Sequence, residues 1–346
     1  YLRRARAWLP SGGFAAASRN LTVGARPLDP EVRSHAKALA GLISFRSVIY
    51  FQKGDPVATL RVAEEAADLA KATSDEDALA RSWITMDWAR FMLTGSSAGQ
   101  HGEETIDLLR RQGLQDRISD VMNNLGGYAY MEGRWEEAAE WYRRAQDAAS
   151  KAGNPLSVAD RGANLAELYI GQGRLEEAHP LIDDAERAFR AAGVTSALPF
   201  VGLQRGRLAL AEGDHTAAIE ALSSAATDAD AIGDDWTAGL ARVELAEAFV
   251  NAGELGQASE LHDTLETGAG AADMAPATCR VTALLASKAG EDASSHLSKG
   301  LSGAEEAGDL LEEARILELL AQSNEATTHQ SSRLIELSQQ LGWVST

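Results

Sequence analysis

Apolar and polar positions alternate with a helical period across residues 118–153, ISDVMNNLGGYAYMEGRWEEAAEWYRRAQDAASKAG. Leu125-Gly126 sits in a first amphipathic helix, which Gly133 interrupts. Trp135 begins a second, on which Ala138, Trp141, Tyr142 and Ala145 share one face at spacings of three and four. Gly153 closes that helix as a left-handed cap. The pattern is a helical hairpin whose apolar faces need more cover than the two helices give each other.

The pattern recurs every 40 residues. After Gly133 come Gly173, Gly213 and Gly253; the closing glycine recurs as Gly113, Gly153, Gly193 and Gly233. Seven residues before each inner glycine stands a small residue: Gly126, Ala166, Gly206, Ala246. Five after it stands alanine: Ala138, Ala178, Ala218, Ala258. Only small side chains let two helices approach closely at a crossing, so the columns have a steric cause. The chain is an array of repeats.

Leu125-Gly126 with Ala138-x-x-x-Tyr142 resembles the tetratricopeptide (TPR) signature, and Ala178 with Ile182 and Ala218 with Leu222 repeat its second half. The resemblance implies an all-α, right-handed superhelical solenoid of about eight to nine helix-turn-helix units. Two features depart from the family. The unit is 40 residues rather than about 34, so helices or connectors are longer by about a turn and a half. Position four, Trp in the family, is Met122.

In chain order, an opening hairpin is expected over residues 1–27, turning at Gly12-Gly13. A second pair spans about 30–72, broken at Gly54-Asp55-Pro56, with Pro56 suited to a first helical turn. A third, about 75–111, carries a loose turn at residues 95–99. Four regular units follow over residues 118–265, then a Gly/Ala-rich stretch at 267–277 where the period slips. A hairpin broken at Gly290 and a last pair, about 310–322 and 331–341, complete eight pairs plus a terminal one. Three regions result: irregular pairs over 1–117, regular repeats over 118–265, and degenerate pairs with a cap over 266–346. Pro180, some five residues into a second helix, is expected to bend it or to mark a later start.

Among 346 residues there are 8 prolines and one cysteine, Cys279, which excludes an internal disulfide and fits a reducing, cytoplasmic setting. No run of 18 apolar residues is present, so no membrane-spanning helix is expected. The net charge of −19 argues against nucleic-acid binding, which needs a basic surface. Residues 1–28 nevertheless hold five arginines, including Arg3, Arg4 and Arg6, and no acid. That start reads as a helix pair facing an upstream domain rather than as a docking surface. The chain opens at Tyr1 rather than Met, so an upstream part is expected.

Catalytic motifs are missing. There is no G-x-x-x-x-G-K-[ST], G-x-S-x-G or H-E-x-x-H. Gly171-x-Gly173 is a fragment of a dinucleotide fingerprint, but it falls in a helix–helix turn with no strand before it. The seven histidines have no metal-ligand spacing with the cysteine, and His262 occupies a packed column. Of the paired acids Glu64-Glu65, Glu136-Glu137 and Glu176-Glu177, the last two begin second helices, where acids favour the helix dipole. No enzyme activity, cofactor or metal is expected.

A solenoid of hairpins offers a long concave wall lined mainly by first helices. By resemblance to the family, the lining includes Asn123, Gly127, Tyr130, Ala163, Glu167, Leu203, Arg207, Val243 and Glu247. Asn124 and Asn164, one position further along, are placed to bond a peptide backbone. The chaperone-binding subclass grips a C-terminal carboxylate with Lys and Arg on these helices. Asn123, Gly127, Ala163 and Glu167 stand there instead, which argues against that role. The aromatic residues Trp83, Trp88, Phe91, Tyr128, Tyr130, Trp135, Trp141 and Tyr142 cluster in the third and fourth units, chiefly as core.

The run NNLGGYAYMEGRWEEAAEWYRRA (123–145), the 40-residue unit and the ending SSRLIELSQQLGWV (331–344) resemble a narrower group. This group comprises the C-terminal TPR regions of bacterial adenylate/guanylate cyclases and LuxR/MalT-like AAA/STAND ATPases. The resemblance implies a regulatory arm that binds a protein or peptide partner, or an upstream domain of the same polypeptide. A free-standing scaffold and a peptide or small-ligand sensor remain the alternatives; oligomeric state is open. Stability is expected to be near-additive over neighbouring units.

Overall fold

The structure, a computed structural model, describes residues 14–96, 101–267 and 274–343. The expected turn at Gly12-Gly13, the arginines at 3, 4 and 6, and most of the Gly/Ala-rich stretch lie outside them. The described chain is all-α. It divides into two compact units, residues 1–132 and 133–346.

The first unit holds α1 (Phe14–Ala25), α2 (Arg33–Gln52), α3 (Pro56–Thr73), α4 (Glu76–Thr94), α5 (Gly102–Arg111) and α6 (Gln115–Met131). Asp55 and Asp75 cap α3 and α4 by accepting from the Ala58 and Ala78 amides at 2.9 and 3.2 Å. Pro56 takes the first helical position, as its fixed φ favours. Alternate helices stack, α2 on α4 and α4 on α6, with α3 and α5 set against them.

The second unit holds α7 (Trp135–Ala152), α8 (Pro155–Gly171), α9 (Leu175–Ala192), α10 (Leu198–Ala211), α11 (His215–Ile232), α12 (Asp235–Ala252) and α13 (Leu255–Thr267). It ends with α14 (Ala275–Ala289), α15 (Ser294–Ala307), α16 (Leu310–Gln322) and α17 (Thr328–Leu341). In chain order the described helices are therefore α1 followed by eight pairs. The residues added to the family's unit lie in the helices: α8 has 17 and α9 has 18, with only residues 172–174 between them. Pro180 lies inside α9, which starts at Leu175 and runs on to Ala192. The later start is thereby excluded. The ring takes away the amide that would bond the Glu176 carbonyl.

The glycine columns carry the turns. Gly133, Gly173, Gly213 and Gly253 have φ between +69° and +81°, and Gly113, Gly153, Gly193 and Gly233 between +69° and +73°. L-residues adopt this region only with strain, so glycine recurs. The small columns are close approaches. Ala138, Ala178, Ala218 and Ala258 are fully buried, as are Ala166 and Ala246. A Cβ on Gly206 would stand 2.4 Å from Leu222 Cγ, and one on Gly171 would stand 2.8 Å from the Trp135 ring. The fragment Gly171-x-Gly173 is thus a packing glycine followed by a turn glycine.

First helices pack on one another along the second unit: α8 on α10, α10 on α12, α12 on α14 and α14 on α16. The second helices α7, α9 and α11 stand further apart. The grooves between them, of about 650 and 470 Å³, are floored by Gly162 and Gly202, again 40 residues apart. Inner helices drawn together and outer helices splayed make a tightly curved array.

Gly206→Ala should overpack the site, since buried Leu222 has no room to retreat. The expected cost is about 1–3 kcal/mol, read as a lower urea midpoint. Gly256→Ala meets nothing within 4 Å and should be neutral or raise stability by up to about 1 kcal/mol.

Candidate functional site

The sequence-selected residues fall in two places. Asn123, Asn124 and Tyr130 lie half-buried on α6 in the first unit. Asn164, Glu167, Arg207 and Glu247 lie half-buried on α8, α10 and α12 in the second. Of the other expected lining positions, Ala163, Leu203 and Val243 are buried in the interior. Leu203 joins the core of α10–α12, and Val243 that of α12–α14. Tight curvature turns these positions into helix–helix contact, which corrects the wider wall read from family spacing.

In the first unit, Asn124 borders a void of about 10 Å³ with Asp87, Thr105 and Tyr128, room for about one water. Asp87 on α4 accepts from the His101 backbone amide at 3.2 Å and meets its ring Nδ1 at 2.8 Å. Burial pushes the Asp87 carboxyl up, against the opposing pull of His101. Burial, with Asp87 nearby, likewise pushes the Tyr128 phenol up. His101 stacks on Trp83 at 5.1 Å, Phe91 on Tyr128 at 4.9 Å, and the Phe51 edge meets Trp88 at 4.7 Å. Phe91 and Tyr128 are core, whereas Trp83 and Trp88 are half-buried.

In the second unit the inner faces of the first helices carry a ladder of charge. Arg207 Nη1 donates to Glu167 at 2.8 Å and its Nε to Glu244 at 3.2 Å. Arg315 on α16 donates to the same Glu244 oxygen at 2.9 Å. Arg280 on α14 bridges Glu247 and Glu312, the latter at 2.6 Å. Three arginines and four glutamates from α8, α10, α12, α14 and α16 form two bonded groups, Glu167–Arg207–Glu244–Arg315 and Glu247–Arg280–Glu312, close enough to act on each other electrostatically. Their centres are buried: the side chains of Arg280 and Glu244 are 2% and 3% exposed.

Glu167, Arg207 and Glu247 stand in a single 40-residue column, so their alternation of sign was present in the sequence. Glu244, Arg280, Glu312 and Arg315 were not singled out. Glu244 is one turn back along α12, and the other three follow the slip in the period.

Charges packed this closely shift one another. Burial alone would raise the Glu244 carboxyl, but Arg315, Arg207 and Arg280 outweigh it and hold it at about 2. At Glu312 burial prevails over Arg280 and Arg315, and its carboxyl is raised. Arg280 is lifted well above its ordinary value because Glu247, Glu312 and Glu244 overcome the cost of burial.

The remaining candidates resolve structurally. His262 is buried, with Nε2 2.7 Å from Thr282 Oγ1. Glu177 pairs with Arg174 through two contacts of 2.7 Å at the start of α9. Among the described residues, no group of three or more His, Cys, Asp or Glu is arranged to hold a metal ion, and no helix is long and apolar enough to cross a membrane.

Residues 117–191 match the model of the tetratricopeptide repeat family. No curated protein matches the sequence. Solved structures do match the fold. A Rap protein complexed with Competence and Sporulation Factor superposes with a TM-score of 0.67 at 13% identity, over 98% of this chain and 95% of that one. NprR in complex with its cognate peptide NprX gives 0.59 at 16% identity, over 88% and 89%. A STAND protein with a tetratricopeptide repeat sensor from Pyrococcus horikoshii gives 0.51 at 15% identity, over 75% of this chain and 40% of that one. At these identities the likeness is one of fold.

Glu244→Gln should remove the anion shared by Arg207 and Arg315, at a cost of about 3–5 kcal/mol. The folded carboxyl lies below its ordinary 4.5. Its contribution to stability is therefore complete above pH 4.5 and lost as pH falls towards 2. Glu312 has the opposite sign, its contribution present below 4.5 and lost as pH rises through its raised value. Urea midpoints between pH 2.5 and 6 should show a shallower acid limb in Glu244→Gln than in the parent.

Proposed function

We propose that this chain, a tetratricopeptide-repeat protein by sequence motif and fold, is a non-catalytic regulatory module that binds a protein segment along its first helices. The observation that carries the reading is the column of half-buried polar side chains on one inner face: Asn164, Glu167, Arg207 and Glu247. A peptide laid across successive first helices would meet an acid, a base and an acid at regular steps, with Asn164 one turn from Glu167 on α8. Two proteins of similar fold, Rap and NprR, were solved with Competence and Sporulation Factor and with NprX, which supports a peptide as the ligand class. Asn123, Asn124 and Tyr130 form the corresponding candidate surface in the first unit.

A longer context is part of the same reading. The resemblance to C-terminal TPR regions of bacterial nucleotide cyclases and STAND-type ATPases favours a cytoplasmic sensor arm whose partner is an upstream domain or a peptide signal. The STAND protein with a tetratricopeptide repeat sensor supports this.

Peptides selected from a random phage-displayed library on the purified chain should lose at least about tenfold in affinity on Asn164→Ala or Glu167→Gln, the loss exceeding any change in the helical melt. Peptides indifferent to both, and to Glu247→Gln and Tyr130→Ala, would remove the site. The native polypeptide in its source cell, sequenced from its N-terminus, should carry a cyclase or NTPase sequence ahead of Tyr1. A native start within a few residues of Tyr1 would leave a free-standing scaffold.

A further inference from the structure

The second unit closes on itself. Gln172, which ends α8 and is almost wholly buried, sends its Nε2 to the Leu341 carbonyl at the end of α17, 3.3 Å away and 169 positions along the chain. The same Nε2 lies 3.1 Å from Glu136 on α7, and Arg174 donates to its Oε1 at 3.3 Å. Beside it, Gly133 leaves room for Leu310 and Gln340: a Cβ there would stand 2.5 and 2.6 Å from their side chains. The last helix thus seats on the first two of its unit. Between these ends, Arg315 reaches over α14 to Glu244 on α12. The final hairpin therefore lies across the inner face that carries Glu167, Arg207 and Glu244.

This roof is held unevenly. Helix α16 is set into the core through Ala314, Ile316, Leu317 and Leu320, all buried. Helix α17 buries only Leu337 and Leu341 and leaves Ile335 59% exposed. Its other ties are a bidentate pair from Arg333 to Glu313, at 2.7 and 3.0 Å, and the Gln172 seat. A terminal helix with so few buried contacts opens at lower free energy than the core beneath it.

We infer that helix α17 is a latch at the edge of the inner face, docked through Gln172 in the structure and released to admit the partner segment while α16 stays in the core. The inference rests on the reading of that face as the binding surface and adds its regulation. Docked, the latch covers Gln172 at the end of α8 with the Leu341 carbonyl. Released, it uncovers Gln172 and the neighbouring Glu136 to an incoming chain, while Arg315 stays on Glu244. A ligand that binds only the released form has its apparent affinity lowered by the fraction released. Anything that weakens the seat should tighten binding, and anything that fixes it should abolish binding.

The test uses the full chain with Cys279→Ser as background, and adds Gln172→Cys with Gly342→Cys. A Cβ on Gly342 would lie 3.8 Å from Gln172 Cγ, within reach of a disulfide. Two readouts are taken on the oxidised and reduced forms: amide hydrogen exchange, and affinity for the library-selected peptides. Oxidation should slow exchange in α17 at least tenfold and weaken the peptides at least tenfold, with both effects reversed by reductant. Gln172→Ala, which needs no engineered cysteine, should speed exchange in α17 at least tenfold without changing it in α8–α12. Equal exchange in all forms, limited by global unfolding, would overturn the latch whether or not a peptide binds. A latch that exchanges as expected, while the peptides bind both forms equally, would show that it does not gate this face. Should the library yield no peptide, the exchange data alone still decide whether the latch opens, so failure of the binding reading and failure of the latch are told apart.

Discussion

Curvature sets everything else in the second unit. Close packing of first helices on one another takes the charged side chains of their inner faces out of solvent. Any charge on those faces must then find its partner within the protein, because a buried unpaired ion costs several kcal/mol. The ladder from Glu167 to Arg315 meets that requirement. It sums to three cations against four anions, and its surplus acid falls at the rim, where Glu167 and Glu247 keep about a quarter of their side-chain surface in solvent. The deepest members, Arg280 and Glu244, are each shared between two partners. Sharing lets one ion satisfy two neighbours, and it makes each ion a strut between hairpins.

How much of this was legible depends on the range of the interaction. The turns were, because a left-handed backbone at Gly173 or Gly213 is a local demand that only glycine meets cheaply. The crossings were too, since Ala178 and Ala218 repeat in step with them. The column Glu167, Arg207, Glu247 was legible as an inner-face pattern, and its alternating sign is a bond between neighbours: Arg207 lies one period from Glu167 and touches it at 2.8 Å.

Legibility ends where neighbours do. Ala163, Leu203 and Val243 follow the family's lining positions, yet they are core here, because how wide a groove opens is set by the angle between successive hairpins. That angle accumulates from many small packing choices and has no motif. The same holds for Gln172 and Leu341, whose contact spans almost the whole unit. Glu312 and Arg315 were hidden for a further reason: the stretch near residue 270 shifts the period, so nothing in the sequence aligns them with Glu244.

Closure also changes what kind of object the second unit is. In an open array each hairpin touches only its neighbours, and stability adds nearly unit by unit. Here Arg315 bypasses one hairpin to reach Glu244, and α17 returns to α7 and α8. Contacts that skip along the array couple units that simple additivity treats as independent. The near-additive stability read from the repeat pattern therefore describes the hairpins taken in neighbouring pairs, whereas the closed unit carries an extra term shared between its ends. The two ends are joined by the Gln172 seat alone among these ties, whereas the buried ions join hairpins within the unit. A protein in which the buried ions fix the fold and the terminal seat sets access to its inner face can alter that access without unfolding.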